Sequence, residues 1–150
     1  MNHRVRRLLA FLELDPESAQ FLKRFKNLDF APEAKNCLLN CMIQRHRHAG
    51  ALVHGWVIWD NEPANSCEAE AHVVWAKSSI LHDLTPRIDG EEKVLFVPDM
   101  RHVATFDETA NPPRTHTYDN ARLRDGVYTP PKKITLPFLI ESDLPALLSK

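Results

Sequence analysis

Three side chains in this 150-residue chain, Cys37, His72 and Asp83, have the types and the order that thiol chemistry needs. A cysteine near a helix start meets the partial positive charge and unpaired N–H groups of the helix N-terminus, and both favour a thiolate. An imidazole can take its proton. A carboxylate on the far ring nitrogen can fix the tautomer and stabilise the cation. Backbone N–H groups beside the cysteine can hold an oxyanion. The spacing of His72 and Asp83 is compatible with these roles. Residues 68–75 read as a strand, Ala76 to Ser79 as a turn, and 80–84 as the next strand. If Trp75 faces Ile80, then His72 faces Asp83 on the same side of the hairpin, with Cβ atoms about 4.5–5.5 Å apart. A slip of one residue would send the two to opposite faces. The same residues also read without chemistry. Cys37 is then a small buried hydrophobe, His72 a satisfied core histidine, and Asp83 a strand-end cap before Thr85-Pro86.

The elements that must position these residues are set by periodicity. Val5, Leu8, Leu9 and Leu12 fall at helical spacing and predict a first helix. Asp15-Pro16-Glu17 is a helix-start signal and predicts a second helix over about 16–27. A third helix starts near 33 or at 37 and runs to about 48, stopped by Gly50. With Asn36 as its cap, Cys37 is the first helical residue; with a start at Pro32, Cys37 lies one turn deeper. From Ala51 the pattern changes to β-branched and aromatic runs. Strands are expected at 52–59, 68–75, 80–84, 93–97 and 102–106. Residues 107–133 carry Asn111-Pro112-Pro113 and Pro130-Pro131 and read as a long ordered loop, with one short strand near Thr115–Tyr118. Residues 134–140 read as an edge strand despite Pro137, and 144–150 as a short helix. Helices first, then strands on short turns, predict an α+β class: N-terminal helices packed on an antiparallel sheet of about four to six strands.

Composition bounds the function. Apolar residues make up 43% and charged residues 26%, with 19 Lys+Arg against 20 Asp+Glu. One globular domain over 1–150 is expected, with its core over about 31–106, and no global positive field calls for nucleic acid or an anionic membrane. The basic residues Arg4, Arg6 and Arg7 read as a solvated helix face. Three cysteines, an odd number, do not make a disulfide framework and fit a reducing compartment, so the cytoplasm is expected. The apolar run Leu8 to Leu12 is shorter than a secretory core, and no run approaches the roughly 20 residues that span a bilayer. Only 4 glycines occur, in none of the phosphate-loop, dinucleotide or nucleophile-elbow patterns.

The order of cysteine on a helix, histidine on a strand and aspartate on the next resembles the transglutaminase-like branch of the papain-like cysteine fold. His72-Val73-Val74-Trp75 and Asp83-Leu84-Thr85-Pro86 are similar to that family's His-x-x-aromatic and Asp-x-Thr strand ends. A denser resemblance, over about 34–99, is to a group of small bacterial proteins. It rests on Cys37-Leu38-Leu39-Asn40, Gly55-Trp56-Val57-Ile58-Trp59, Glu68-Ala69-Glu70-Ala71-His72-Val73-Val74-Trp75, Asp83-Leu84-Thr85-Pro86 and Phe96-Val97-Pro98-Asp99. Ala49 stands where that group has the first glycine of a Gly-Gly pair. The resemblance implies Cys37, rather than Cys41 or Cys67, as nucleophile, His72 as general base and Asp83 as orienter. The implied activity is thiol-dependent acyl chemistry on a protein or peptide amide, with no cofactor. Asn40, one turn after Cys37, is a candidate for substrate or oxyanion contact and equally a buried structural amide. Trp56 is a candidate cleft wall, although tryptophans in strands are more often core. Glu70 shares the His72 face and can tune the imidazole or bind a substrate cation; a strand-entry charge at the sheet rim is the plainer reading.

Two other function classes compete. Thiolate, imidazole and carboxylate are all zinc ligands, and Cys37 and Cys41 share a helix face near His46, His48 and His54. No Cys-x2-Cys or His-Glu-x-x-His pattern supports that reading, and no metal is expected. The other class is an interaction module on the same fold that docks a partner through 107–133. The pattern sets no oligomeric state.

Overall fold

The computed structural model describes residues 1–137. Val5, Leu8 and Leu9 form the buried stripe of helix α1 (His3–Phe11), whose first turn is capped by Asn2, its side-chain oxygen accepting from the Val5 N–H at 2.9 Å. Helix α2 (Cys37–His48) buries Leu38, Leu39, Cys41 and Ile43 and stops where Gly50 takes a φ of +85. Cys37 is therefore its first residue. Asn36 occupies the cap position but makes no side-chain capping bond, so it leaves the first-turn N–H groups to other acceptors.

The helix expected over 16–27 does not form. A single 3-10 turn (Pro16–Ser18) is capped by Asp15, and the chain then extends into strand β1 (Gln20–Lys23). Along β1 only Leu22 is buried. Strand pairing wins instead, because β1 finds the edge of β5. The remaining strands are β2 (Ala51–Asn61), β3 (Ser66–Lys77), β4 (Ile80–His82), β5 (Lys93–Pro98), β6 (Thr105–Asp107), β7 (Arg114–Tyr118), β8 (Ala121–Arg124), β9 (Val127–Thr129) and β10 (Lys133–Pro137).

Among the described residues these strands build a seven-stranded antiparallel sheet ordered β1-β5-β2-β3-β8-β9, with β4 also on β3, and a three-stranded sheet ordered β10-β7-β6. The architecture is α+β with two helices packed on antiparallel sheets, and the larger sheet exceeds the four to six strands expected. The long loop expected over 107–133 contains the short strand expected near Thr115–Tyr118, as β7, but adds β8 and β9, so about half of it is strand. Ala121 and Leu123 alternate inward along β8, and Asp125-Gly126, both at positive φ, make the two-residue turn into β9. The edge strand expected over 134–140 is β10, described as far as Pro137. The helix expected over 144–150 lies outside the described residues.

The hairpin register also differs from expectation. Ser78 and Ser79, both at positive φ, form the turn, so Lys77 faces Ile80 and Trp75 faces His82 rather than Ile80. His72 and Asp83 are thus not directly opposed, and Asp83 lies just past the end of β4. The shift is two residues, and with a side-chain period of two it leaves every side chain on its expected face.

Past their ends, β4 and β1 meet. The Phe25 N–H donates to the Asp83 carbonyl at 2.8 Å, and Arg24 and Asp83 form a parallel bridge. The path β1-β5-β2-β3-β4 therefore closes on itself. The face bearing Trp56, Ile58, Ala69, Val73 and Trp75 packs against α1 and α2. The opposite face carries Leu22, Val57, Val74, Val94 and Phe96, and by alternation His72 and Gly55 as well. Gly55 pairs with His72 and lies under the Phe96 ring: a Cβ there would sit 2.2 Å from the Val97 carbonyl oxygen and 2.7 Å from the Phe96 ring. Gly55→Ala is expected to lower stability by about 1–3 kcal/mol, as overpacking does, read as a lower midpoint in chemical denaturation at unchanged slope.

Candidate active site

The site is built on β3. One edge of β3 pairs with β2 from Ser66 to Ala76. The other edge pairs with β8 from Ser66 to Ala69 and with β4 from Trp75 to Lys77. Between them, residues 70–74 meet no described strand on this second edge. Val73 is buried, so its peptide groups need partners. Helix α2 supplies them with two thiols one turn apart. The Cys41 thiol donates to the Val73 carbonyl at 3.5 Å, and the Val73 N–H donates to the Cys37 sulfur.

This approach through the open edge explains how Cys37 and His72 meet. The helices lie on one face of the sheet and His72 points to the other. A sulfur bonded to the edge peptide of Val73 is within reach of both. Cys37 is half-buried and hydrogen-bonded to His72. The His72 Nε2 lies 2.9 Å from Asp83 Oδ1, with both side chains 3% exposed. Asp83 on Nε2 leaves Nδ1 to the thiol. The Phe96 ring stands edge-on to the imidazole at 6.4 Å between centroids.

The charges reinforce one another. Burial pushes the Cys37 thiol up, but the His72 charge, the His72 hydrogen bond and the Val73 N–H outweigh burial and the nearby Glu70, and the thiol ends below its ordinary value. Burial pushes His72 down, but the Cys37 charge and the bonds from Asp83 and Cys37 carry it up to about 9. Burial raises Asp83, and its bond to His72 and the charges of His72 and Arg87 hold it below its ordinary range regardless. The two shifts act in the same sense and favour the thiolate–imidazolium form of the pair. The other thiols lack this. Burial and the Cys37 and Asp83 charges drive Cys41 well above its ordinary value, and burial carries Cys67 to about 12.

Of the further candidates, Glu70 stays at the site, part-buried on the His72 face and close enough to oppose the thiolate. Asn40 is fully used elsewhere. Its amide nitrogen donates to the Glu33 carbonyl at 2.9 Å and to Thr85 Oγ1 at 3.1 Å, and its oxygen accepts from the Glu33 N–H at 2.9 Å. It ties the chain entering α2 to the segment after Asp83 and has no donor left for an oxyanion. Trp56 is on the other face, fully buried, its indole donating to Asp99 at 2.9 Å, and walls no part of the site.

Arg87, which the sequence pattern did not single out, is part of the site. Its Nη2 donates to Asp83 Oδ2 at 3.2 Å. An arginine four residues after an aspartate signals proximity only in a helix, and residues 84–87 form no regular element, so nothing in the spacing marks it. Among the described residues no group of three or more His, Cys, Asp or Glu side chains is arranged to hold a metal ion, and no helix is long and apolar enough to cross a membrane. Comparisons of the chain with protein-family models, curated proteins and solved structures give no match.

The imidazolium is stabilised by folding from its ordinary 6.5 up to about 9, so that contribution is complete below 6.5 and is lost as pH rises through about 9. The Cys37 charge is the largest upward influence. In Cys37→Ala the His72 midpoint, followed by nuclear magnetic resonance of the ring, is expected to fall by about one unit or more. An unchanged midpoint would show that thiol and imidazole are not electrostatically paired.

Proposed function

We propose that this protein performs thiol-dependent acyl chemistry on an amide, on a fold of the papain/transglutaminase-like kind. The observation that carries the reading is the Cys37 thiol at the first residue of a helix, bonded to an imidazole whose Nε2 is 2.9 Å from a buried carboxylate. In this mechanism the Cys37 thiolate attacks the amide carbonyl and a C–S bond forms. The oxyanion is received by N–H groups of the first turn of α2, where Asn36 provides no side-chain cap. His72 gives its proton to the leaving nitrogen as the C–N bond breaks, and a thioester remains. Water or an amine then attacks the thioester, His72 takes the proton from it, and the C–S bond breaks to restore the thiolate. Water makes the protein an amidase, peptidase or glutamine deamidase; an amine makes it an acyl transferase. A protein or peptide amide is the proposed substrate class. The three free thiols fit a reducing, cytoplasmic setting.

Iodoacetamide near neutral pH, read by mass spectrometry of the folded protein, is expected to label Cys37 and to spare Cys41 and Cys67 until the chain unfolds. His72→Ala is expected to slow that labelling roughly 10-fold or more, because the thiol returns toward its ordinary range. A peptide aldehyde should add to wild type and not to Cys37→Ala. Labelling of Cys37 only on unfolding would overturn the reading.

A further inference from the structure

We infer that Arg87 is a positioning residue of this site: it holds one oxygen of Asp83 so that the other is presented to His72, and its charge limits how firmly the imidazole keeps its proton. The inference rests on the proposed thiol mechanism and adds a fourth member to it.

The geometry is specific. The guanidinium is 10% exposed on its side chain and spans two acceptors: Nη1 donates to the Thr85 carbonyl at 2.9 Å and Nη2 to Asp83 Oδ2 at 3.2 Å. His72 takes the other oxygen, Oδ1, at 2.9 Å. The carboxylate is therefore gripped by two side-chain donors, each on its own oxygen, with the Thr85 N–H also on Oδ1, and cannot turn toward one without leaving the other. Arg87 Nη2 lies only 3.3 Å from His72 Nε2. With Nε2 donating to Asp83, that contact joins two donors and is not a hydrogen bond; it places a fixed positive charge against the imidazolium. The Nε of Arg87 is buried with no partner among the described residues. The guanidinium thus forgoes one bond in a pose that keeps it on the carboxylate.

The charges facing His72 are few. Cys37 comes from α2, Glu70 from β3 itself, and Asp83 and Arg87 from the segment after β4; Gly55 of β2 and Phe96 of β5 bring no charge. With thiolate, imidazolium, Asp83 carboxylate and Arg87 present, the four innermost charges cancel. Without Arg87, two anions surround one cation, and the imidazolium is held more tightly. A histidine that cannot release its proton at working pH is a poor donor to the leaving nitrogen and a poor base for the second step. Lysine at this position would keep the charge but not the planar fork.

The test is the His72 titration by nuclear magnetic resonance in wild type, Arg87→Gln and Arg87→Lys, with alkylation of Cys37 by iodoacetate against pH on the same samples. The wild-type midpoint is expected at about 9. Arg87→Gln is expected to raise it by about one unit, the size of effect a charge at this distance has, and to move the falling limb of the alkylation profile upward with it. Arg87→Lys should restore most of the wild-type midpoint. An unchanged midpoint in a folded Arg87→Gln protein overturns the inference. Should that variant fail to fold, the wild-type Arg87 guanidinium resonances decide: they must shift through the same titration as His72, and silence there overturns the inference equally. A wild-type Cys37 without reactivity near neutral pH would instead remove the mechanism on which the inference stands.

Discussion

A short unpaired edge in the middle of β3 governs this structure. Residues 70–74 lie between the end of the β8 pairing and the start of the β4 pairing. A buried strand edge without partners is costly, because its N–H and C=O groups lose water and gain nothing. Here the partner is a helix rather than a strand, and the groups it offers to Val73 are the thiols of Cys37 and Cys41. Thiols are weak hydrogen-bonding groups, but a thiolate is a strong acceptor. The Val73 N–H thus favours the charged form of Cys37 while the deeper Cys41 stays a neutral thiol. Two cysteines of one helix turn are pushed in opposite directions by what each meets.

The second constraint is charge balance inside an apolar setting. His72, Asp83 and Arg87 are each almost wholly buried, and a charge there without an opposite partner is costly. Together with the Cys37 thiolate they form an alternating set in which each charge has an opposite neighbour. The segment holding the acidic end is itself braced. The Thr85 N–H reaches back to Asp83 Oδ1 at 3.4 Å, and Thr85 Oγ1 accepts from Asn40 on α2. The helix that carries the thiol and the turn that carries the carboxylate are therefore joined through Asn40 and Thr85 as well as through the imidazole.

Much of this was legible in the residues and some was not, for definite reasons. The Cys37 helix, the two long strands and the shared face of His72 and Asp83 are consequences of periodicity. The face survived an error in register because the turn at Ser78-Ser79 shifts the pairing by two residues, and an even shift preserves sidedness. Strand β1 was hidden because its helix-start signal at Asp15-Pro16 is real but stops after one 3-10 turn, and only the distant edge of β5 makes the next residues extend as a strand. Strands β8 and β9 had a local signal in Asp125-Gly126, masked by the density of prolines around them. The open edge of β3 could not be read, because it depends on where two non-sequential strands stop. Arg87 could not be read either, since it meets Asp83 from a segment without regular secondary structure and not through a regular period. Asn40 and Trp56 looked like site residues by position, and each is occupied by a structural bond instead.

The central claim is that Cys37 rests as a thiolate paired with His72. Ultraviolet absorbance of the thiolate, followed against pH in wild type and in Cys37→Ala, measures this directly without any substrate. The difference between the two titrations should show one thiolate already formed at neutral pH and disappearing only in acid. A difference that develops only near the ordinary thiol value of 9.0 would contradict the account.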